Sequence, residues 1–527
     1  MNTYKTLCGL LCLLFSLGTW ASDTFRNPVI WADVPDMDVI RVDSDFYMVS
    51  TTMHLMPGAP IMHSRNLADW STVGYIFPKL TDSPRYSLRQ GTAYGRGQWA
   101  TSLKYHNGRF YALFAPNDHP GGETYIMTAE HAAGPWTLVS RLPHFHDASL
   151  FFDDDNRVYV VYGTGEMVEL SSDLKSVLPG SHVQLFKRPD TERGLLEGSR
   201  MVKHNGKYCL LMISWTQGHP RREVCFRADS VKGPYQEKVI LETEFGGFGG
   251  VGQGTIVDAP DGKWYGLIFQ DRGGVGRVPL LMPCHWEDGW PILGDTEGKV
   301  PEEMVKPMAS RSKSGIVGSD DFAKPRLSLL WQWNHNPEDK AWSLTKRPGW
   351  LRLHTSRVVP NVFLAPNTLT QRMEGPRCEA VVKIDVSHLA DGDVAGFSVF
   401  QGDAALLKVQ REGRRLWLVA TTESVSLDRN DKSVTGDDLH TVLRQPLGTM
   451  VVWMKITGDF RLGHDTATLS YSTDGKHWTA AIDGFKMRFD YTRFFMGSKF
   501  GLFCYATKRL GGYADFDYFH YQRLGEP

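Results

Sequence analysis

The stretch DASLFFDDDNRVYVVYG at residues 147–163 has the pattern of a strand, a polar turn and a second strand with a tyrosine at a fixed place. Four other stretches repeat this pattern: PDMDVIRVDSDFYMVS at 35–50, WATSLKYHNGRFYALF at 99–114, EGSRMVKHNGKYCLLM at 197–212 and GQGTIVDAPDGKWYGLIF at 252–269. Each continues into a second hairpin, so the repeat holds four strands over roughly 50 residues, which is typical of a propeller blade. Because one blade cannot bury both of its faces, the five copies predict a closed ring.

The first strand of each copy starts at a matched position. Counting back 11 or 12 residues from the five tyrosines reaches Asp36, Trp99, Asp147, Glu197 and Gln253 or Gly254. The innermost strand of a blade lines the central channel, so residues at the same end of these strands are expected to meet in one funnel. Three of the positions hold carboxylates, which predicts a shared acidic site.

The chain of 527 residues is too long for one hydrophobic core, so at least two domains are expected. Residues 1–22 have the pattern of a secretory signal peptide, in which Lys5 precedes an apolar run and a small-residue cleavage site. Residues 23–309 hold the repeats, 310–319 are small and polar like a linker, and 320–527 carry short alternating strands. The predicted fold class is therefore all-β, a five-bladed β-propeller followed by a β-sandwich.

Composition and charge exclude several other classes of protein. The net charge is −1 and no basic block is present, so nucleic acid is not an expected partner. The apolar run near the N-terminus is too short to be a membrane anchor, which predicts an exported soluble protein.

Five cysteines follow the apolar run, and Cys209 could face Cys225 across a hairpin, but the odd count without paired spacing favours buried free thiols. No zinc-binding motif is present.

The carboxylates Asp36, Asp147 and Glu197 suggest glycoside cleavage. Carboxyl groups gathered in one funnel perturb each other's pKa values, so one can stay protonated while another is ionised. An inverting glycosidase needs such an acid and base, about 6.5–9.5 Å apart, with the base activating water. Ordinary turn acids are the alternative, since Asp33 and Asp38 flank Asp36. The matched register across blades favours the active site.

The chain resembles glycoside hydrolase family 43. The resemblance is carried by Asn27-Pro-Val-Ile-Trp-Ala-Asp-Val-Pro-Asp36, Trp99-Ala, Asp147-Ala-Ser-Leu-Phe-Phe-Asp-Asp-Asp, Glu197-Gly-Ser-Arg, Gly252-Gln-Gly-Thr-Ile-Val-Asp and Gly276-Arg277, in order over residues 27–300. The region from about residue 320 is similar to the concanavalin-like sandwich of the β-xylosidase and α-L-arabinofuranosidase branches of that family. The resemblance therefore covers nearly all of the chain after the signal.

The resemblance implies a role for each matched residue. Asp36 would be the general base that activates water, and Glu197 the general acid. Asp147 would hold the acid in place and tune its pKa. Arg277 would hydrogen-bond the sugar near the acid, and Trp99 would wall the subsite of the terminal sugar. Members of this family invert the anomeric centre, which agrees with the acid–base logic above.

Two departures and two weaker candidates accompany these assignments. Met37 replaces the proline that usually follows the base. Gly252 replaces the histidine that often helps to hold a central calcium, so no metal is assigned and no cofactor is required, although a structural calcium at the propeller centre is left open. Trp31 is a candidate for stacking on a sugar, with a core role as the alternative. His54 is a candidate pocket residue, with a structural role as the alternative.

The predicted function is that of an exo-acting, inverting hydrolase releasing terminal α-L-arabinofuranosyl residues from plant hemicellulose, such as arabinoxylan or xyloglucan oligosaccharides. The preference for arabinofuranoside rests on the segment 50–58, which is similar to that branch of the family. A β-D-xylosidase is the nearest alternative, and a non-catalytic sugar-binding propeller is a third. The partner is an oligosaccharide or polysaccharide substrate. A single-sugar product favours the periplasm over the external medium, and the oligomeric state is left open.

Overall fold

The structure is a computed structural model that describes residues 24–118, 122–310, 312 and 314–525. The predicted signal peptide lies outside the described residues, so export and the periplasmic location stay predictions. The described part of the chain is built of β-strands, with four short 3-10 helices at Pro84–Ser87, Gly273–Val275, Asp339–Ala341 and Val362–Leu364. The all-β prediction is confirmed.

Five antiparallel sheets of four strands each form the blades of a propeller. Blade I consists of Asp38–Val42, Asp45–Val49, Gly58–Ser64 and Ser71–Phe77, and blade II consists of Gln98–His106, Arg109–Pro116, Thr124–Ala129 and Thr137–Leu142. Blade III consists of Ser149–Phe152, Val158–Tyr162, Glu166–Leu170 and Val183–Gln184, and blade IV consists of Glu192–His204, Lys207–Thr216, Arg222–Ala228 and Gln236–Leu241. Blade V consists of Val251–Asp258, Trp264–Asp271, Arg277–Glu287 and Trp290–Leu293. Apolar clusters fill the spaces between successive blades, since each blade must bury both of its faces.

The ring closes through the first described strand. Thr24–Arg26 pairs antiparallel with Glu303–Val305, which follows blade V. The Asn27 side chain accepts from the Leu281 N–H and donates to the Leu281 carbonyl at 2.8 Å. A further apolar cluster joins blade I to blade V. These contacts hold the start and the end of the propeller together, so the funnel is continuous around the ring.

The C-terminal part is a sandwich of two antiparallel sheets. The first sheet has eight strands, in spatial order Val434–Pro446, Arg415–Leu427, Asp403–Glu412, Asp393–Phe400, Lys499–Ala506, Leu369–Arg372, Gln332–Asn334 and Leu55–Met56. The second sheet has seven strands, in spatial order Trp342–Ser343, Leu351–His354, Tyr513–Leu524, Arg377–Asp385, Val451–Asp459, Thr466–Ser472 and Thr479–Lys486. Alternate residues of both sheets point inward and form the largest apolar core of the described chain. The prediction of a sandwich is confirmed.

A short strand from the propeller forms the edge of the first sandwich sheet. Leu55–Met56 leaves blade I between its second and third strands and pairs with Gln332–Asn334 of the sandwich. The residues 310–319, predicted as a linker, include a contact with blade I, where the Gly315 N–H donates to the Trp70 carbonyl. The exact domain boundaries stay a prediction.

Two further predictions concern cysteines and membranes. The five described cysteines are free and buried, and Cys209 and Cys225 lie on neighbouring strands of blade IV. Their buried positions agree with free thiols in the core rather than with a disulfide framework. Within the described ranges, the structure contains no helix long and apolar enough to cross a membrane.

Candidate active site

The inner strand of every blade is irregular at the funnel. Asp36 and Asp147 each lie two residues before a strand and adopt left-handed backbone conformations, with φ values of 54° and 47°. In the other three blades the pairing register shifts between Gln98 and Thr101, Glu197 and Arg200, and Val251 and Gly254. Bulges and left-handed residues redirect side chains away from the regular alternation of a strand. The repeat thus turns the five strand starts toward one site.

Gly198 shows why blade IV needs a glycine beside its carboxylate. Its φ is +73°, and a Cβ atom at this position would lie 2.6 Å from the Gln253 side chain. The left-handed conformation and the close approach both favour glycine. Because of the bulge that contains Gly198, Glu197 reaches the funnel while Gln253 approaches from blade V.

The structure brings Asp147 and Glu197 together around an imidazole. His146 Nε2 lies 3.1 Å from Glu197 Oε2 and 4.0 Å from Asp147 Oδ1. Gln253 Nε2 donates to the other oxygen of Asp147 at 3.4 Å. Asp147 is buried, whereas the Glu197 side chain keeps 30% of its surface exposed, so Glu197 is the carboxylate that faces the funnel.

Asp36 is held by Arg277. Arg277 Nη1 donates to Asp36 Oδ1 at 3.1 Å, so the arginine pairs with the predicted base and not with the predicted acid. Burial raises the pKa of Asp36, the Arg277 charge opposes this effect, and the Asp147 charge adds to it. Burial also raises the pKa of Asp147, although the His146 charge opposes it. The two aspartates are therefore close enough to influence each other's ionisation.

Asp38 differs from Asp36 in its surroundings, although only two residues separate them. Its carboxylate is fully buried and accepts from Leu103 N at 2.8 Å and from Lys104 Nζ at 3.0 Å, with Arg200 Nε at 3.7 Å. Burial alone would raise the pKa of Asp38, but the Lys104 and Arg200 charges and the Leu103 N–H lower it below its usual range. Asp38 ties blades I, II and IV together, which leaves Asp36 as the aspartate at the funnel.

Trp99 forms one wall, together with a residue from the sandwich. The Trp99 ring lies 6.0 Å from the His146 ring and 5.6 Å from the Phe495 ring. Phe495 also lies 4.3 Å from the Arg277 guanidinium, and its carbonyl accepts from Arg277 Nη2 at 3.2 Å. No local motif in the sequence marks Phe495 as a wall residue.

The described contacts of Trp31 and His54 are with residues other than the carboxylates. Trp31 is half-buried, with the Arg272 guanidinium 4.6 Å from its ring and its carbonyl bonded to Gly375 N. His54 is fully buried, 4.9 Å from the Tyr94 ring and 4.7 Å from the His335 ring. Burial lowers the pKa of His54 to about 3. We therefore interpret His54 as an interface residue and not as a sugar ligand.

One group of side chains in the site has the spacing of possible metal ligands. Ligand atoms of His146, Asp147 and Glu197 lie within 4.8 Å of one another. Their hydrogen bond and charge pairing account for this spacing, so we assign no metal there. At the place of the histidine that would help to hold a central calcium, Gly252 provides no side-chain ligand. The adjacent Gln253 N–H donates to Glu223 Oε2 at 2.7 Å.

Two family models match this chain, one in the propeller and one in the sandwich. Residues 25–291 match the model for glycosyl hydrolases family 43, and residues 319–522 match the model for the beta xylosidase C-terminal concanavalin A-like domain. The chain belongs to glycosyl hydrolase family 43 and is a glycoside hydrolase. This result confirms the resemblance found in the sequence.

Particular relatives extend along most of the chain. A beta-xylosidase of Formosa agariphila is 29% identical, covering 96% of this chain and 92% of its own length. A non-reducing end alpha-L-arabinofuranosidase of Bacteroides ovatus is 28% identical, covering 79% and 83%. The solved structure of a bifunctional GH43-CE protein from Bacteroides eggerthii is 40% identical with a TM-score of 0.87, covering 95% of this chain. The chain spans 64% of the length of that bifunctional protein.

Proposed function

We propose that this protein is an exo-acting, inverting hydrolase that releases single terminal pentosyl residues from plant hemicellulose, such as arabinoxylan or xyloglucan oligosaccharides. The observation that carries the proposal is the convergence of Asp36, Asp147 and Glu197 from three blades on one funnel. Asp36 is paired with Arg277, and Glu197 is paired with His146. Inversion requires an acid on one face of the sugar ring and a base on the other, and two separate blades can hold these groups.

The proposed reaction uses the carboxyl groups in separate roles. Asp36 takes a proton from the attacking water as the water oxygen bonds to the anomeric carbon. Glu197 gives a proton to the glycosidic oxygen as the bond to the leaving group breaks. Asp147 stays buried between them and orients the acid through His146. Arg277 orients Asp36, and its charge favours the ionised form that a base requires.

The exo mode is supported by the wall that Phe495 and Trp99 form beside the carboxylates. The two rings lie 5.6 Å apart, and Phe495 also covers the Arg277 guanidinium. A propeller mouth narrowed on one side by the sandwich suits the end of a chain better than its middle. Aromatic walls also match the apolar C–H faces of a sugar ring.

The choice of pentose depends on residues 50–58 and on the names of the relatives. The sequence-based preference for α-L-arabinofuranoside came from residues 50–58, but Leu55–Met56 pairs with the sandwich and His54 is fully buried. This segment therefore no longer separates the two sugars by direct contact. The names of the relatives include both activities, and the β-xylosidase of Formosa agariphila covers more of this chain than the arabinofuranosidase. We accordingly rank the β-D-xyloside beside the α-L-arabinofuranoside.

The test compares initial rates on an aryl β-D-xyloside and an aryl α-L-arabinofuranoside, with proton NMR of the first-formed product to read its anomeric configuration. We expect turnover of at least one substrate, with inversion. A Glu197→Ala variant should keep part of its rate on an activated aryl leaving group, which needs little protonation, and lose about 10²-fold or more on an alkyl leaving group. Turnover of neither substrate by the wild type would contradict the proposal and favour a non-catalytic sugar-binding propeller.

A further inference from the structure

His146 lies between two carboxylates, and the roles described above use it only to connect Asp147 with Glu197. Its Nε2 atom is within hydrogen-bonding distance of Glu197 Oε2, at 3.1 Å, and lies 4.0 Å from Asp147 Oδ1. Its side chain keeps 37% of its surface exposed, against 6% for Asp147. The His146 carbonyl accepts from Gly163 N at 2.8 Å, which fixes the backbone. The imidazole therefore has a fixed position between the buried Asp147 carboxylate and the open funnel.

The surrounding charges favour a protonated imidazole. The charges that act on His146 or on the carboxylates beside it belong to Asp36, Asp147, Glu197, Arg200 and Arg277. Burial and the His146 charge lower the pKa of nearby His144, so this second histidine stays neutral. The Asp147 charge raises the pKa of His146 to about 9, and Glu197 and Asp36 add to this effect, while burial opposes it. The protonated imidazole can thus donate to Glu197 Oε2 across the 3.1 Å contact.

A general acid must regain its proton after every turnover. Glu197 Oε2 already faces His146 Nε2, and His146 is the member of the pair with the larger exposed surface, at 37% against 30%. We propose that His146 is a positioning residue that orients the Glu197 carboxyl group and supplies the proton that Glu197 passes to the leaving oxygen. This inference rests on the proposed function, in which Glu197 is the acid.

The proton transfers balance within one turnover. The proton on His146 Nε2 moves to Glu197, and a Glu197 proton moves to the glycosidic oxygen as its bond to the anomeric carbon breaks. The water oxygen bonds to that carbon, and the water proton goes to Asp36. After the products leave, Asp36 releases its proton to solvent and the neutral His146 takes one up. The resting charges of all three groups are thereby restored.

The test uses the full chain with a His146→Gln variant and two substrates that differ only in leaving group, an activated dinitrophenyl pentoside and an alkyl pentoside. We expect kcat/KM to fall by about 10-fold to 100-fold on the alkyl substrate and to change little on the activated one. A packing role would lower both rates alike. A His146→Phe variant, which keeps a planar ring without nitrogen, should behave in the same way and guards against a fold defect in one variant.

The pH profile provides an independent readout. In the wild type, the alkaline limb of kcat/KM should lie near the raised pKa of His146, because the active form needs the imidazole proton. Without the imidazole, the proton must reside on a carboxyl group, whose ordinary pKa is about 4.3, so the limb should move to lower pH. His144→Gln is the matched control, because this exposed histidine lies two residues away, and it should leave both readouts unchanged.

The outcomes separate the two proposals. Turnover of no pentoside by the wild type would overturn the proposed function itself. An active wild type with a His146→Gln variant that keeps the wild-type leaving-group ratio and alkaline limb would overturn only the role of His146. Equal losses on both substrates with an unmoved limb would also overturn it.

Discussion

The funnel of the propeller and the interface cluster, which consists of His54, Tyr94, His335 and Phe494, bury ionisable groups in opposite ways. In the funnel, Asp36 has Arg277 at 3.1 Å. In the interface cluster, His54 packs against the rings of Tyr94, His335 and Phe494, and the charge of Lys499 disfavours its protonation. Burial lowers the pKa of both interface histidines, so they stay neutral.

This difference indicates what each region requires from burial. Removing a charge from water is costly unless an opposite charge or hydrogen bonds compensate. The funnel supplies that compensation and retains groups that exchange protons. The interface cluster supplies aromatic contacts, such as the 4.1 Å stacking of Tyr94 on Phe494, and retains neutral rings. A titratable residue that is buried beside an opposite charge at the opening of the funnel is therefore a better candidate for a catalytic residue than a neutral buried histidine.

The largest expected effect comes from Asp36→Asn. Asparagine tolerates the left-handed conformation at φ 54° and keeps the size of the side chain, but it cannot accept a proton from water. We expect kcat to fall by about 10³-fold, within the range for loss of a general base. The pKa of Asp36 is raised because burial outweighs the attraction of Arg277, so loss of this charge should change the thermal midpoint little, and the asparagine oxygen can still accept from Arg277. Initial rates and thermal unfolding measure both quantities. A rate within about tenfold of the wild type would contradict the role of Asp36 as base.

Asp38→Asn, the same substitution two residues later, should have the opposite profile. It leaves Arg200, which is almost fully buried, and Lys104 without their carboxylate partner. Breaking a buried ion pair typically costs about 3–5 kcal/mol, so we expect a loss of stability of this order with kcat of the folded fraction largely kept. Denaturant unfolding at neutral pH tests this, with Asp36→Asn as the matched control. An unchanged unfolding midpoint would show that Asp38 does not tie the blades together.

The smallest expected effect concerns the interface cluster at acid pH. Unfolded histidine takes up a proton near pH 6.5, whereas the pKa of folded His54 is about 3. The unfolded state therefore binds more protons below pH 6.5, and stability falls by about 1.4 kcal/mol per pH unit for this one group until pH 3. His54→Phe should remove that contribution, so the variant should gain on the wild type between pH 6.5 and pH 5 and match it above pH 7.5. His335 leaves a residual slope, and identical pH dependence in both proteins would contradict the burial argument.

Much of the fold could be predicted from the sequence. Each blade is a local unit, so its strand–turn–strand pattern recurs along the chain, and the matched strand starts are enough to mark Asp36, Asp147 and Glu197. His146 directly precedes Asp147, but the repeated pattern begins at the aspartate and gives no signal for the histidine. Phe495 could not be found, because it comes from the sandwich and no repeat connects it to the funnel.

The sequence by itself determined the five blades, the sandwich and the three carboxylates that share one register, since strand alternation and turn chemistry act over neighbouring residues. Only the tertiary structure decided which partner each carboxylate has. Closure of the ring sets Arg277 against Asp36, turns Asp38 inward to Lys104 and Arg200, and places His146 on Glu197. These pairings depend on distances between blades far apart in the chain, and such distances determine the charge that a buried group can keep.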